Sequence, residues 1–291
     1  MNPAGGGRPA SAPLWLLILV LASARLPALG GPAASPPPPG FGPVGPSDTA
    51  SAMEALEAFR NPAQSAPYYL EFALSEIPRR GEVKSFQGRL WGARNDQGLI
   101  LRIALKDGTG SERRFLLQNG VRAEAWSFAG GALKRLGPAE VLEPLVPGVE
   151  VTPFDLQMPY LYWHEARLAA IGRVLGRPAD EFLFRGPDGA SGVAAVRSYL
   201  DTQFRALVKT EILDGAGAVL KTLSLVDLKK VGKQWIPKDV DVRNESTRSK
   251  TRIDFTAAAL GLDLSPALFS PEVLGSDVSP PSEALLVRLP P

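Results

Sequence analysis

The sequence contains no cysteine. That excludes a disulfide framework, a thiol nucleophile and cysteine-ligated metal, and it leaves no cysteine to carry a lipid anchor. There is one histidine, His164, so a histidine-rich metal site is excluded and any Ser-His-Asp triad would have to use that residue. No G-x-S-x-G elbow accompanies it, since Gly189-Ala190-Ser191-Gly192 has the wrong spacing. No glycine-rich phosphate loop opens a helix, and Gly108-Thr109-Gly110 reads as a hairpin turn. No loop of the calcium-binding pattern is present. An excess of one charge is lacking too: 32 Lys and Arg face 30 Asp and Glu. A balanced chain has no large field to draw it onto nucleic acid or an anionic membrane, although a local basic patch stays open.

What the chain does have is turn chemistry and one apolar run. Its 29 Gly and 28 Pro amount to about a fifth of the residues, which suits many short strands joined by turns. Arg8 precedes the apolar run from Ala12 to Ala24, which closes on Ala22-Ser23-Ala24 and stops at Arg25. This is the pattern of a secretory signal peptide over 1–24, with a mature N-terminus expected between residues 25 and 32 and an uncleaved N-terminal anchor as the alternative. The run falls short of the about 20 apolar residues that a spanning helix needs, so no stable membrane span is expected. Residues 25–47 hold Pro32, Pro36 to Pro39, Pro43 and Pro46 and read as a disordered Pro/Gly-rich leader.

The folded part is expected over 48–291. Ser47 or Asp48 can cap a short helix with Met53, Leu56 and Phe59 on one face, ended by Asn61-Pro62. The period then changes to two. Tyr68, Leu70, Phe72 and Leu74 alternate with Tyr69, Glu71, Ala73 and Ser75; Phe86, Gly88 and Leu90 share a face; Leu99, Leu101, Ile103 and Leu105 alternate with Ile100, Arg102, Ala104 and Lys106. Each reads as a half-buried strand. Asn119-Gly120 reads as a two-residue hairpin turn between 114–118 and 121–128. Further strands are expected near 167–175, 180–186, 193–201, 204–213, 218–229, 234–243 and 250–256, with Asp214-Gly215 as a turn. The total is about eleven strands with no long helix. The aromatic stretch from Asp155 to His164, broken by Pro159, reads as a short helix or loop lying across the sheet.

About eleven antiparallel strands make a sheet large enough to curl. The fold expected is therefore mainly β: one antiparallel sheet curled into an incomplete barrel, with a short N-terminal helix and a lid-like segment. Too little helix is available to fill the concavity. An apolar hollow would favour an apolar ligand by roughly 25 cal/mol per Å² removed from water, and a solidly packed barrel or sandwich is the alternative.

The later part of the chain also resembles a family. Tyr199-Leu200-Asp201 is followed by Leu213-Asp214-Gly215 and Leu220-Lys221-Thr222-Leu223. Then come Val231-Gly232-Lys233-Gln234-Trp235-Ile236-Pro237-Lys238, Thr247-Arg248-Ser249-Lys250-Thr251 and Phe269-Ser270-Pro271-Glu272-Val273-Leu274. Upstream, Pro153-Phe154-Asp155-Leu156 and the stretch Gly172 to Pro178 fit the same order. The order of these pieces, more than any single one, is similar to the bacterial outer-membrane lipoprotein-sorting proteins, the LolA/LolB-like carriers. That resemblance implies a half-barrel with a helical lid and a lining that receives acyl chains. It implies a periplasmic carrier or chaperone of lipoprotein or lipid, delivering it towards the outer membrane, with no cofactor and no enzymatic step.

The candidate lining is the inward row: Leu70, Phe72, Leu90, Leu101, Ile103, Leu105, Val208, Ile236, Val240, Ile253 and Phe255. Each would otherwise be plain core. Tyr160, Leu161, Tyr162 and Trp163 are the candidate lid or rim, because aromatic side chains clustered in a Pro-broken segment are costly to leave in water. Trp235 and Pro237 face away from Ile236. Asp239 and Asp241 share the Trp235 face and could pair as catalytic carboxylates, but a solvated outer face explains them better. The competing function is a sensor or scaffold of the same shape that binds another envelope protein through the aromatic segment.

Overall fold

The computed structural model describes residues 49–62, 66–78, 82–106, 110–187 and 192–290. The signal-like segment 1–24, the leader 25–47, the Ser47 or Asp48 cap, Gly108-Thr109 and Gly189 to Ser191 lie outside the described residues. Helix α1 (Thr49–Arg60) comes first and buries Ala52, Ala55, Leu56 and Phe59 on one stripe. It ends at Asn61, whose N–H still reaches the Glu57 carbonyl at 2.9 Å.

Six strands follow as a meander: β1 (Tyr68–Ile77), β2 (Lys84–Asn95), β3 (Gly98–Lys106), β4 (Glu112–Gln118), β5 (Glu124–Ala129) and β6 (Ala132–Arg135). Helix α2 (Pro153–Gln157) and a 3₁₀ turn (Pro159–Tyr162) separate them from a second meander. That meander holds β7 (Glu165–Val174), β8 (Arg177–Arg185), β9 (Ala195–Asp201), β10 (Leu207–Leu213), β11 (Val219–Val231), β12 (Gln234–Asn244) and β13 (Lys250–Leu260). A two-residue β14 (Val287–Arg288) pairs with β13.

The spatial order is β6-β5-β4-β3-β2-β1-β13-β12-β11-β10-β9-β8-β7. The two meanders are thus stitched into one antiparallel sheet by the long β1–β13 pairing, from Tyr68↔Leu260 to Ile77↔Lys250. Strands β6 and β7 are its free edges, so the sheet curls without closing. The fold is mainly β, as the alternation implied, but the described residues form fourteen strands instead of about eleven. The additions escape the period-two rule because β6 is four exposed residues and β14 is two.

Two local expectations are corrected. Asn119-Gly120 is not a two-residue hairpin turn, because β4 ends at Gln118 and β5 begins at Glu124. Asn119 is instead buried, donating to the Met158 carbonyl at 3.4 Å, and Gly120 adopts φ 127° where a side chain would run into the Gln97 carbonyl. Strand β3 is not half-buried: every residue from Gly98 to Leu105 is buried. Its second face is covered by the C-terminal segment. There Tyr69, Trp91 and Ala104 pack against Leu262, Leu268, Phe269 and Leu286. Leu274 seals Ala93, Ile100 and Leu116.

At the centre of that cover, the fully buried Arg102 donates to four carbonyls. They belong to Leu268 (3.1 Å), Val273 (3.0 Å), Leu274 (3.1 Å) and Ser276 (2.6 Å). The segment from Leu268 to Ser276, which contains the Phe269-to-Leu274 motif, is therefore a cage for one guanidinium.

Candidate functional site

The inward faces of both meanders meet in one apolar cluster. Leu70, Phe72, Leu90, Leu101, Ile103, Leu105, Ile236, Val240, Ile253 and Phe255 are all buried in it, and the half-buried Val208 packs against it. Phe72 and Phe255 are register partners with ring centroids 6.2 Å apart. The concavity has more filling than the sequence suggested. Besides α1, the loop residues Leu145, Val146, Val149 and Val151 are buried in the same cluster, as is most of the aromatic segment.

That segment is a bar across the concavity, and its sequence explains its shape. Thr152 and Asp155 form a reciprocal capping box, Pro153 occupies the first turn, and Met158 ends α2 in the left-handed conformation at φ 50°. Pro159 then starts the 3₁₀ turn.

Both halves of the sheet hold the bar. On the β4–β5 side, Gln157 Nε2 donates to the carbonyls of Gln118 (2.7 Å) and Glu124 (2.9 Å). On the β11 side, Lys221 Nζ lies 2.8 Å from Asp155 Oδ2 and donates to the Glu150 carbonyl at 2.8 Å. The Tyr162 hydroxyl donates to the Arg60 carbonyl at 2.8 Å, tying the bar to α1. Asp155 Oδ1 is buried with no hydrogen-bond partner among the described residues.

The four proposed lid residues split. Tyr160 and Leu161 are buried, whereas Tyr162 and Trp163 are half-buried. Tyr160 packs edgewise on Trp163 (6.4 Å) and at a tilt on Phe184 (5.7 Å), and burial pushes its phenol well above the usual range. His164 is exposed beside them.

Open space remains on both sides of the bar. Phe154, Gln157, Pro159 and Trp163 border a cavity of 750 Å³ that also touches Ala125 of β5, Arg135 of β6 and Pro187. An adjoining cavity of 410 Å³ shares Pro159, Trp163 and Pro187 and reaches Glu165 and Arg185. These two spaces lie at the gap between the sheet's free edges.

On the other side, Leu156, Met158 and Tyr160 meet Val208, Leu225 and Ile253 around a narrow space of 30 Å³. Val208 and Leu225 also line a groove of 310 Å³, walled by Val174, Leu175, Phe204 and Trp235. Of the proposed lining, Val208 and Ile253 border open space on this side, and the remainder belongs to the packed cluster. The sequence reading missed this groove because its walls come from hairpin ends, where alternation stops.

Asp239 and Asp241 do not face each other as a reactive pair. Asp241 is held by Arg252 (2.7 and 3.0 Å) and Lys250 (3.1 Å). Among the described residues, no cluster of three or more His, Cys, Asp or Glu could hold a metal, and no helix is long and apolar enough to cross a membrane.

An open antiparallel sheet curled around a barred concavity has known counterparts. A provisionally named outer membrane lipoprotein-sorting protein domain from Vibrio parahaemolyticus superposes with a TM-score of 0.67 at 16% identity, covering 78% of this chain and 99% of that one. The LolA superfamily protein of Nitrosomonas europaea gives 0.59 at 14% identity, over 76% of this chain and 97% of that one. The fold is LolA-like. A DUF1329 family protein from Desulfovibrio piger has it too, with a TM-score of 0.65 at 15% identity, over 78% of this chain and 98% of that one. A family model described as an uncharacterized protein matches residues 187–276, and no curated protein matches the sequence. In this LolA-like frame the match at 187–276 spans β9 to β13 and the segment that cages Arg102, which is also where the motifs from Tyr199 to Leu274 lie, while those at 153–156 and 172–178 fall upstream of it.

Proposed function

We propose that the protein is a non-enzymatic carrier or chaperone that takes up acyl chains of a lipoprotein or lipid beneath the bar, in the envelope space towards the outer membrane. The observation that carries this reading is the 310 Å³ groove. Its walls are mostly apolar, and it runs through Val208 and Leu225 to the underside of the bar. An acyl chain entering there removes apolar surface from water at roughly 25 cal/mol per Å². It also lengthens its berth if the bar swings out on the left-handed Met158. The secretory pattern at the N-terminus and the LolA-like fold support the same compartment and cargo class.

The test is native mass spectrometry and lipid extraction of protein purified from a Gram-negative host. Bound acyl species, lost on Val208→Asp, are expected. Protein that comes out empty and binds no apolar dye overturns the reading.

A second reading, an envelope scaffold that binds a protein, is favoured by the free β7 edge, whose residues are all exposed or half-buried, and by half-buried Trp163 at the mouth. Crosslinking followed by pull-down, with retention of a protein in the absence of lipid, would select it.

A further inference from the structure

Three apolar side chains at the hairpin end remain in water. Leu175, Val226 and Trp235 are 85%, 45% and 41% exposed, and all three border the 310 Å³ groove. Leu175 sits in the β7–β8 turn at φ 50°, a conformation that favours asparagine or glycine. Turn chemistry therefore does not account for a leucine there.

The same end concentrates positive charge. The stretches 173–177, 201–207 and 227–235 hold Arg173, Arg177, Arg205, Lys229, Lys230 and Lys233 against only Asp201 and Asp227, in a chain whose totals are 32 and 30. Asp201 is taken by Arg177 at 2.7 Å and Asp227 by Lys229 at 3.3 Å. Arg173, Arg205, Lys230 and Lys233 have no carboxylate partner among the described residues. Lys230 stands directly opposite Trp235 in the β11–β12 register, so a cation and an indole share one face of the hairpin.

We propose that this hairpin end docks on an anionic lipid bilayer. Leu175, Val226 and Trp235 enter the interface, and the unpaired cations meet phosphate headgroups. An indole prefers the membrane–water boundary, long basic side chains reach headgroups from beside an apolar contact, and each cation near an anionic surface adds to binding. An acidic protein partner would answer the charge but would give no role to a lone leucine protruding from a turn. The contact would bring the groove mouth against the lipid. It uses the same groove as the carrier reading but does not require it to be filled.

The experiment is sedimentation of the protein with vesicles of phosphatidylcholine, with and without phosphatidylglycerol. Binding to the anionic vesicles is expected, falling steeply with salt. It should drop about tenfold or more in Lys230→Glu/Lys233→Glu and several-fold in Leu175→Ser. These sites are exposed turn or strand-end positions, and circular dichroism checks that the variants fold. Any membrane affinity of the N-terminal apolar run is common to all the proteins compared. Binding that is equal on neutral vesicles, unchanged in both variants, or absent overturns the proposal. Protein free of acyl cargo that still shows the expected pattern supports docking and counts only against the carrier reading.

Discussion

Lys221 of β11 places its ammonium 2.8 Å from Asp155 Oδ2 in the bar, and the Asp155 side chain is fully buried. The two residues belong to the elements that would have to part for the concavity to open. Breaking one partner leaves a buried charge unpaired, which costs about 3–5 kcal/mol, whereas replacing both with apolar or neutral groups is often nearly neutral. Lys221→Met is expected to lower the urea midpoint sharply and to raise apolar-dye binding by loosening the bar. Lys221→Met/Asp155→Asn is expected to recover most of the stability. A single variant as stable as the parent would show that the pair is no latch.

Arg102 makes a parallel case on the outer face. Its four carbonyl partners lie between Leu268 and Ser276. Arg102→Met would leave those buried acceptors unpaired, a loss on the order of 3 kcal/mol. Arg102→Lys should rescue little, since an ammonium lacks the planar fork that reaches four oxygens. Hydrogen exchange is the direct readout. Protection should fall across 266–276 and in β3, while the β8–β10 region stays as it was.

These two residues also show what the sequence could and could not convey. Alternation located β1, β3, β12 and β13, and with them the inward row from Leu70 to Phe255, because a sheet face has a strict period of two. Arg102 was assigned to the water side by the same rule. Nothing local says that a segment more than 160 residues later will cover it. The bar was recognisable from its Pro-broken aromatic composition. Its anchor was not, since Lys221 and Asp155 are 66 residues apart. The groove walls at Leu175, Phe204 and Trp235 come from three separate hairpins, so only the curl of the sheet brings them together.

Gly88 and Gly92 of β2 lie opposite Phe72 and Tyr68 of β1. A methyl group added at either glycine would land inside the facing ring. The rings lie over the missing side chains, which lets two large aromatics share the narrow inner face of the curl. Gly88→Ala is expected to destabilise by about 1–3 kcal/mol through overpacking. Gly88→Ala combined with Phe72→Leu should lose less than the two single changes together. Strict additivity in a denaturant double-mutant cycle would refute the steric account.

Asp239 and Asp241 share a strand face but have opposite electrostatic environments. Asp239 is the register partner of both Asp227 and Asp254. Partial burial and those carboxylates raise its pKa, with Lys238 and Arg252 opposing. Burial alone would raise Asp241 as well, but hydrogen bonds from Arg252 and Lys250 outweigh it and hold that carboxyl below the usual range.

The signs for stability follow from linkage. A raised folded pKa means that ionised Asp239 costs stability above that pKa, and the cost is relieved as pH falls through it. A lowered folded pKa means that Asp241 contributes stability above the ordinary carboxylate value of about 3.9, and the contribution is lost as pH falls through its depressed pKa. Asp239→Asn should therefore stabilise the protein at pH ~7 and Asp241→Asn should destabilise it, each by no more than about 1 kcal/mol after solvent screening. Both differences should vanish in acid. The Asp239→Asn gain should disappear first, because its folded pKa is the higher of the two. Urea midpoints measured from neutral to acidic pH read both curves, and equal effects of the two substitutions at pH ~7 would contradict the assignment.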